Sequence, residues 1–82
     1  MAVFLGVHKL PEGMQEADMV KGWEDYKTNA TAAGLRPLSA VVSLEKGFAY
    51  CQTEAESADQ VRQAHSGASI PLEDVVEVKR LD

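Results

Sequence analysis

The spacing of hydrophobic residues switches repeatedly between two periods along a short chain, and the order of these periods restricts the fold more than any other feature. Apolar residues recur at every second position, as in β-strands, over 2–8, 38–44, 48–53 and 74–80. They recur at steps of three and four, as on one face of a helix, over 14–33 and 58–66. The predicted order is therefore strand, helix, strand, strand, helix, strand.

This β-α-β-β-α-β order predicts an α+β domain of the ferredoxin-like type. In that arrangement four antiparallel strands lie in the spatial order 4-1-3-2, and both helices pack on one face of the sheet. A chain of 82 residues is too short to form a second hydrophobic core, so we expect a single domain spanning 1–82.

Glycines and capping residues define the predicted helix ends. Gly13 is expected to cap the first helix, and Gly34 is expected to end it in the left-handed conformation. Ser57 and Gln60 match the capping box of the second helix. Gly67 is its predicted stop signal.

One face of the predicted sheet lacks a covering layer, because two short helices cover only the other. Whichever face is left open, it is predicted to carry large apolar groups drawn from Phe4, Val41, Phe48 and Tyr50. We therefore expect a homodimer or a higher oligomer, formed sheet to sheet through this open face.

Charge and cysteine content narrow the function further. The 13 acidic and 8 basic residues give a net charge of -5, which repels phosphate backbones and anionic lipids, so neither nucleic acid nor a membrane is an expected partner. No apolar run approaches the roughly 20 residues that cross a bilayer. The single cysteine excludes an internal disulfide, and the start of the chain lacks the pattern of a secretory signal, so a cytoplasmic location is expected.

Metal-binding side chains are few apart from the carboxylates, and they are scattered along the chain. His8, Cys51 and His65 have no C-x-x-C or H-E-x-x-H spacing. The topology nevertheless places the end of the first strand, the end of the second helix and the start of the first helix at one end of the sheet. His8 and His65 are therefore expected there together with Glu12 and Glu16, and such ligands suit nickel, zinc or copper.

Each candidate also has a purely structural interpretation. His8 at a strand end is often solvated or hydrogen-bonded, and His65 near a helix end favours the negative end of the helix dipole. Cys51 in a central strand behaves as a small buried hydrophobe. Trp23 and Tyr26 lie on the apolar stripe of the first helix and are expected in the core. Ser39 and Ser43 lack His and Asp partners at a recognisable spacing, so nucleophilic catalysis has almost no support.

Several short blocks carry a resemblance to a known family: Val7-His8, Tyr50-Cys51, Glu54-Ala55, Val61-Arg62 with His65, and Pro71 before Val75-Val76-Glu77-Val78. Together they resemble the small bacterial nickel-binding, ferredoxin-like proteins. The resemblance implies a dimeric ferredoxin-like subunit with His8, Cys51 and His65 at positions that could bind nickel.

The chain also departs from that family's pattern. Histidine-rich members have another histidine in the first helix, where this chain has Trp23, and one after His65, where it has Ser69 or Ile70. A complete octahedral site within one subunit is therefore not expected. Water, Glu12 or ligands shared across a dimer would complete the coordination.

The leading hypothesis is a non-enzymatic, dimeric metal-binding module for Ni²⁺ or Zn²⁺, with His8, Cys51, His65 and Glu12 as candidate ligands. The alternative is a small-molecule binding protein or enzyme whose pocket lies between sheet and helices or at the dimer interface. A third hypothesis is a purely structural or regulatory subunit.

Overall fold

The structure, a computed structural model, describes residues 1–82 and contains the six predicted elements in the predicted order. They are β1 (Ala2–Lys9), α1 (Glu16–Ala32), β2 (Arg36–Ser43), β3 (Phe48–Ala55), α2 (Ala58–Gly67) and β4 (Asp74–Val78). The four strands form one antiparallel sheet in the order β2-β3-β1-β4, which is the predicted order read from the other edge. The ferredoxin-like fold is confirmed.

The predicted start of α1 is two residues too early. Gln15, not Gly13, caps this helix, and its backbone N–H donates to the Asp18 carboxylate at 3.0 Å. Gly13 has a φ of 82° and belongs to the preceding turn, where a residue without a side chain adopts this conformation freely. At the other end Gly34 has a φ of 83°, as predicted, and the chain leaves the helix there.

The other main differences between the predicted and the observed boundaries lie at the ends of strands. β3 extends to Ala55 because Ala2 pairs with it, and β4 ends at Val78 because its partner Val3 lies next to the start of β1. β2 begins at Arg36, before an irregularity in its register between Pro37 and Ser39.

The face of the sheet that meets the helices carries the core. Its buried cluster combines Phe4 of β1 and Val75 of β4 with residues of both helices, among them Tyr26 and Val61. Along β3 burial alternates strictly, and Ala49, Cys51, Thr53 and Ala55 all point toward the helices. No helix is long and apolar enough to cross a bilayer.

The opposite face is open and largely apolar. One row crosses three strands, because Val7 and Val41 both lie opposite Tyr50 in the register. Leu5 lies opposite Val76 in a neighbouring row. Val41 is 61% exposed, so nothing within the chain covers this face.

Candidate metal centre

The structure brings three of the predicted ligands together. His8 lies near the end of β1, Cys51 in the middle of β3 and His65 in the last turn of α2. The Cys51 Sγ atom is 3.5 Å from His8 Nε2 and 3.4 Å from His65 Nε2. All three ligand atoms lie within 4.8 Å of one another.

The pairing of β1 with β3 makes room for the thiol. Gly6 lies directly opposite Cys51, and a Cβ atom at Gly6 would stand only 2.7 Å from Cys51 Sγ and 3.5 Å from His65 Cε1. A glycine at this position is therefore required for the cysteine to face the histidines. Gly6 was not among the predicted site residues, although an isolated glycine within a strand pattern often marks a close approach of this kind.

Two backbone carbonyls orient the imidazole rings. His8 Nδ1 is 2.9 Å from the Pro71 carbonyl oxygen, and His65 Nδ1 is 2.8 Å from the Val61 carbonyl oxygen. A carbonyl oxygen only accepts, so Nδ1 carries the proton in each neutral ring and Nε2 carries the lone pair. Both lone pairs thus point toward Cys51 Sγ. Metal-binding histidines are usually held in this way, by a hydrogen bond from the other ring nitrogen.

The proton count of the three groups leaves one acceptor unsatisfied. A single thiol S–H can donate to only one of the two Nε2 atoms. The other lone pair faces sulfur with no proton between them. A cation that replaces the thiol proton would serve both nitrogens and the sulfur at once, so the donor set fits a metal ion.

Burial keeps all three groups uncharged at neutral pH. Cys51 is 4% exposed and His65 is 2% exposed. Burial, opposed by the hydrogen bond to Val61 and assisted by the neighbouring His8, lowers the pKa of His65 to about 4. It also lowers the pKa of His8 and raises the pKa of the Cys51 thiol to about 11.

Two aromatic rings of α1 stack in sequence against His65. The Tyr26 ring stacks on His65 with a centroid distance of 3.9 Å, and Trp23 stacks on Tyr26 at 5.9 Å. The Tyr26 hydroxyl shares a 2.6 Å hydrogen bond with Thr53 Oγ1, which anchors the stack to β3. Tyr26 is buried and Trp23 packs against the core, as predicted for both residues.

The surroundings of the three ligands agree only in part with a purely structural role. His65 is buried and neutral, so it does not act as an exposed cation at the end of the helix dipole. His8 is hydrogen-bonded and only partly exposed, and Cys51 is buried as expected of a small hydrophobe. Burial alone would not bring the three side chains into contact, yet their nitrogen and sulfur donor atoms converge on one point.

No carboxylate joins this cluster. Glu12 and Glu16 are exposed, and the group of potential ligands consists of His8, Cys51 and His65 alone. The expectation that Glu12 lies with the three is therefore not met. The turn before α1 leaves this side chain in solvent, although it lies at the expected end of the sheet.

The spacing of the donor atoms suits a single small cation. Zinc bonds of about 2.0–2.1 Å to nitrogen and 2.3 Å to sulfur place tetrahedral ligand atoms about 3.6 Å apart. The two observed distances between Cys51 Sγ and the imidazole nitrogens, 3.5 and 3.4 Å, are close to that value. Two imidazoles and one thiolate are ligands that nickel, zinc and copper all accept.

A cleft of about 370 Å³ leads to the cluster. It lies between the first half of α1, represented by Met19 and Trp23, and the β2–β3 part of the sheet, where Ala40 and Ala49 leave space. His8, Cys51 and His65 all belong to its lining, and 13 of its 22 lining residues are hydrophobic. A pocket between sheet and helices is thus present, at one of the two places that the alternative hypothesis named.

Comparison with known proteins shows the fold and the family of this chain. No curated protein matches the chain. Among solved structures, the crystal structure of SCO4226 from Streptomyces coelicolor A3(2) is 21% identical, with a TM-score of 0.89 over 99% of this chain and 100% of that one. At this identity the similarity shows a shared fold. Residues 4–78 match the family described as "Nickel responsive protein SCO4226-like". The chain therefore belongs to the SCO4226-like family of nickel-responsive proteins.

Proposed function

We propose that this protein is a small, non-enzymatic metal-binding module that holds Ni²⁺, or Zn²⁺ in its place, through His8, Cys51 and His65. The observation that carries the proposal is the convergence of two imidazole lone pairs on one thiol sulfur, at 3.5 and 3.4 Å. The description of the family as nickel responsive favours nickel. A bound ion would act as a Lewis acid that stabilises the Cys51 thiolate inside a buried site.

Calorimetric titration of the metal-free protein with Ni²⁺ and with Zn²⁺ tests this proposal. We expect one ion per chain, bound at micromolar concentration or below, and a sulfur-to-nickel charge-transfer band in the near ultraviolet. Cys51→Ser should abolish the band and weaken binding, and His65→Gln should weaken binding. Glu12→Gln is the matched control, because Glu12 lies outside the cluster, and it should bind like the wild type.

Two results would contradict the proposal. One is a titration with no heat above that of the buffer at micromolar metal. The other is equal binding by the wild type and by the Cys51→Ser variant, which would place the ion elsewhere. Circular dichroism of each variant separates lost binding from lost folding.

The functional unit we propose is a homodimer formed through the open face of the sheet. The sheet has four strands of up to eight residues. With a rise of about 3.3 Å per residue and a spacing of about 4.8 Å between strands, its open face has an area of about 500 Å². Two such faces bury about 1,000 Å² in total, which is near the lower limit for a specific interface. The row formed by Val7, Tyr50 and Val41 supplies an apolar centre for it.

Sedimentation velocity at micromolar concentration tests the dimer. Val41→Glu and Val76→Glu each place a charge on the open face and should give monomers with unchanged metal affinity. Leu81→Glu is the control, because Leu81 is exposed outside the sheet, and it should remain dimeric. A monomeric wild-type protein would overturn this part of the proposal without affecting the metal site.

A further inference from the structure

The cleft beside the cluster has the shape of a binding site for a small molecule. Its floor includes Ala40 and Ala49, whose short side chains leave space between α1 and the helix-facing side of β2 and β3. Met19 and Trp23 of α1 form the facing wall. At about 370 Å³ it lies at the small end of the range for ligand pockets, and its lining is mostly apolar with a few convergent polar groups.

The protein supplies an incomplete coordination shell for an ion at this site. Three donor atoms converge, and no carboxylate belongs to the group. A partner seated on the open face lies on the other side of the sheet from the ligands, so it cannot provide a fourth. Metal sites with three protein ligands usually complete their coordination with water or an exogenous molecule.

The charge of the loaded site indicates the sign of that fourth ligand. A divalent cation, one thiolate and two neutral imidazoles sum to a single positive charge. This charge would lie beside apolar walls, where an uncompensated ion is costly. A donor that carries one negative charge neutralises the site.

We infer that the cleft binds a small apolar monocarboxylate, whose ring or chain lies between α1 and the sheet and whose carboxylate completes the coordination of the ion held by His8, Cys51 and His65. This inference rests on the proposed metal-binding function. An aromatic body suits the wall formed by Trp23 and Met19, because both side chains make favourable contacts with rings.

The charged side chains of the lining are one lysine and two carboxylates, so the main attraction for an anionic ligand would come from the bound ion. Lys9 lines the cleft and attracts an anion. Asp18 also lines it, but its carboxylate accepts the hydrogen bond from Gln15 at the start of α1 and is committed to capping. Glu16 is the remaining carboxylate in the lining and is exposed to solvent.

Three probes of related structure test the inference on Zn²⁺-loaded protein by calorimetry. Benzoate carries both the ring and the charge, acetate carries the charge alone, and benzyl alcohol carries the ring alone. We expect benzoate to bind more tightly than either of the others. Benzoate at ten times its dissociation constant should raise the apparent affinity for zinc about tenfold. The metal-free protein should show little affinity for benzoate.

A variant that fills the cleft provides the structural control. Ala40 lies on an edge strand, opposite Cys51, and is exposed, so Ala40→Leu should fold normally and retain its affinity for zinc alone. It should lose the effect of benzoate. Ala32→Leu, at an exposed helical position outside the cleft, should keep that effect.

The outcomes separate this inference from the proposed function. Tight zinc binding that benzoate leaves unchanged overturns the inference and leaves the metal site intact. An equal response in the Ala40→Leu variant also overturns it, because benzoate would then bind outside the cleft. Failure to bind metal overturns both proposals, and it is recognised from the metal titration before any benzoate is added.

Discussion

Metal binding at pH 7 is expected to release one proton per ion, and that proton should come from Cys51. Burial raises the pKa of this thiol to about 11, so only about one molecule in ten thousand holds a thiolate at pH 7. Forming the thiolate costs about 5 kcal/mol at this pH, and the metal must supply that free energy. The two histidines contribute no protons, because burial lowers the pKa of both below the ordinary value.

The proton released from Cys51 also determines how the metal affinity depends on pH. Between pH 7 and pH 9 the affinity for Ni²⁺ should rise about tenfold per pH unit, because one proton leaves for each ion bound. A site built from the thiol and two histidines of ordinary pKa would show a steeper rise below pH 6.5, with a slope approaching three. Because burial lowers the pKa of both histidines, any such steepening should begin at a lower pH than it would for histidines of ordinary pKa.

Calorimetry in buffers of different ionisation enthalpy measures this proton directly. The observed enthalpy plotted against the ionisation enthalpy of PIPES, MOPS and HEPES should have a slope that corresponds to one proton released. Cys51→Ser should give a slope near zero and weaker binding. Release of no proton by the wild type would show that the sulfur does not bind the ion as a thiolate, and release of two or more would show that the histidines are charged before binding.

Two further predictions concern the stability of the metal-free protein. Gly6→Ala should lower the free energy of unfolding by about 2 kcal/mol and weaken metal binding, because the new Cβ would meet Cys51 Sγ at 2.7 Å. Gly22→Ala is the control, because Gly22 lies within α1 and a Cβ atom there would have no heavy atom within 4 Å. Its free energy of unfolding, measured by denaturant titration, should rise by up to about 1 kcal/mol. An equal loss of stability in both variants would refute the steric argument. Stability should be complete above pH 6.5 and fall by about 3 kcal/mol toward pH 4, because the unfolded chain protonates His65 while burial holds the pKa of the folded residue at about 4. Urea midpoints across this range test the loss, which should shrink in His65→Gln.

The six elements were predictable because each buries one face, and burial leaves a period of two or of about 3.6 in the sequence. The register between β1 and β3 could not be predicted from the sequence. β1 is apolar on both faces, with Val3, Leu5 and Val7 on one side and Phe4 on the other, so its hydrophobic pattern does not say which face meets the helices. The structure shows that His8 and Cys51 share the helix-facing side.

The candidate site was predictable in part for a related reason. Topology alone brings the end of β1 and the end of α2 to one end of the sheet, and this was sufficient to pair His8 with His65. It does not fix the direction of a side chain in a turn, and Glu12, which was expected beside them, is exposed outside the cluster. The carbonyls of Pro71 and Val61, which orient the rings, carry no sequence signal because every residue has such a group.

The three ligands come from distant parts of the chain, and this separation determines when the site exists. Cys51 lies 43 residues from His8 and 14 from His65, and the carbonyl that orients His8 is 63 residues away. The unfolded chain therefore has no local chelating segment, and the ion cannot nucleate folding as it does in a zinc finger. The chain must reach its complete topology before the ion can bind. Bound metal would therefore indicate that the chain from β1 to the loop before β4 has already folded.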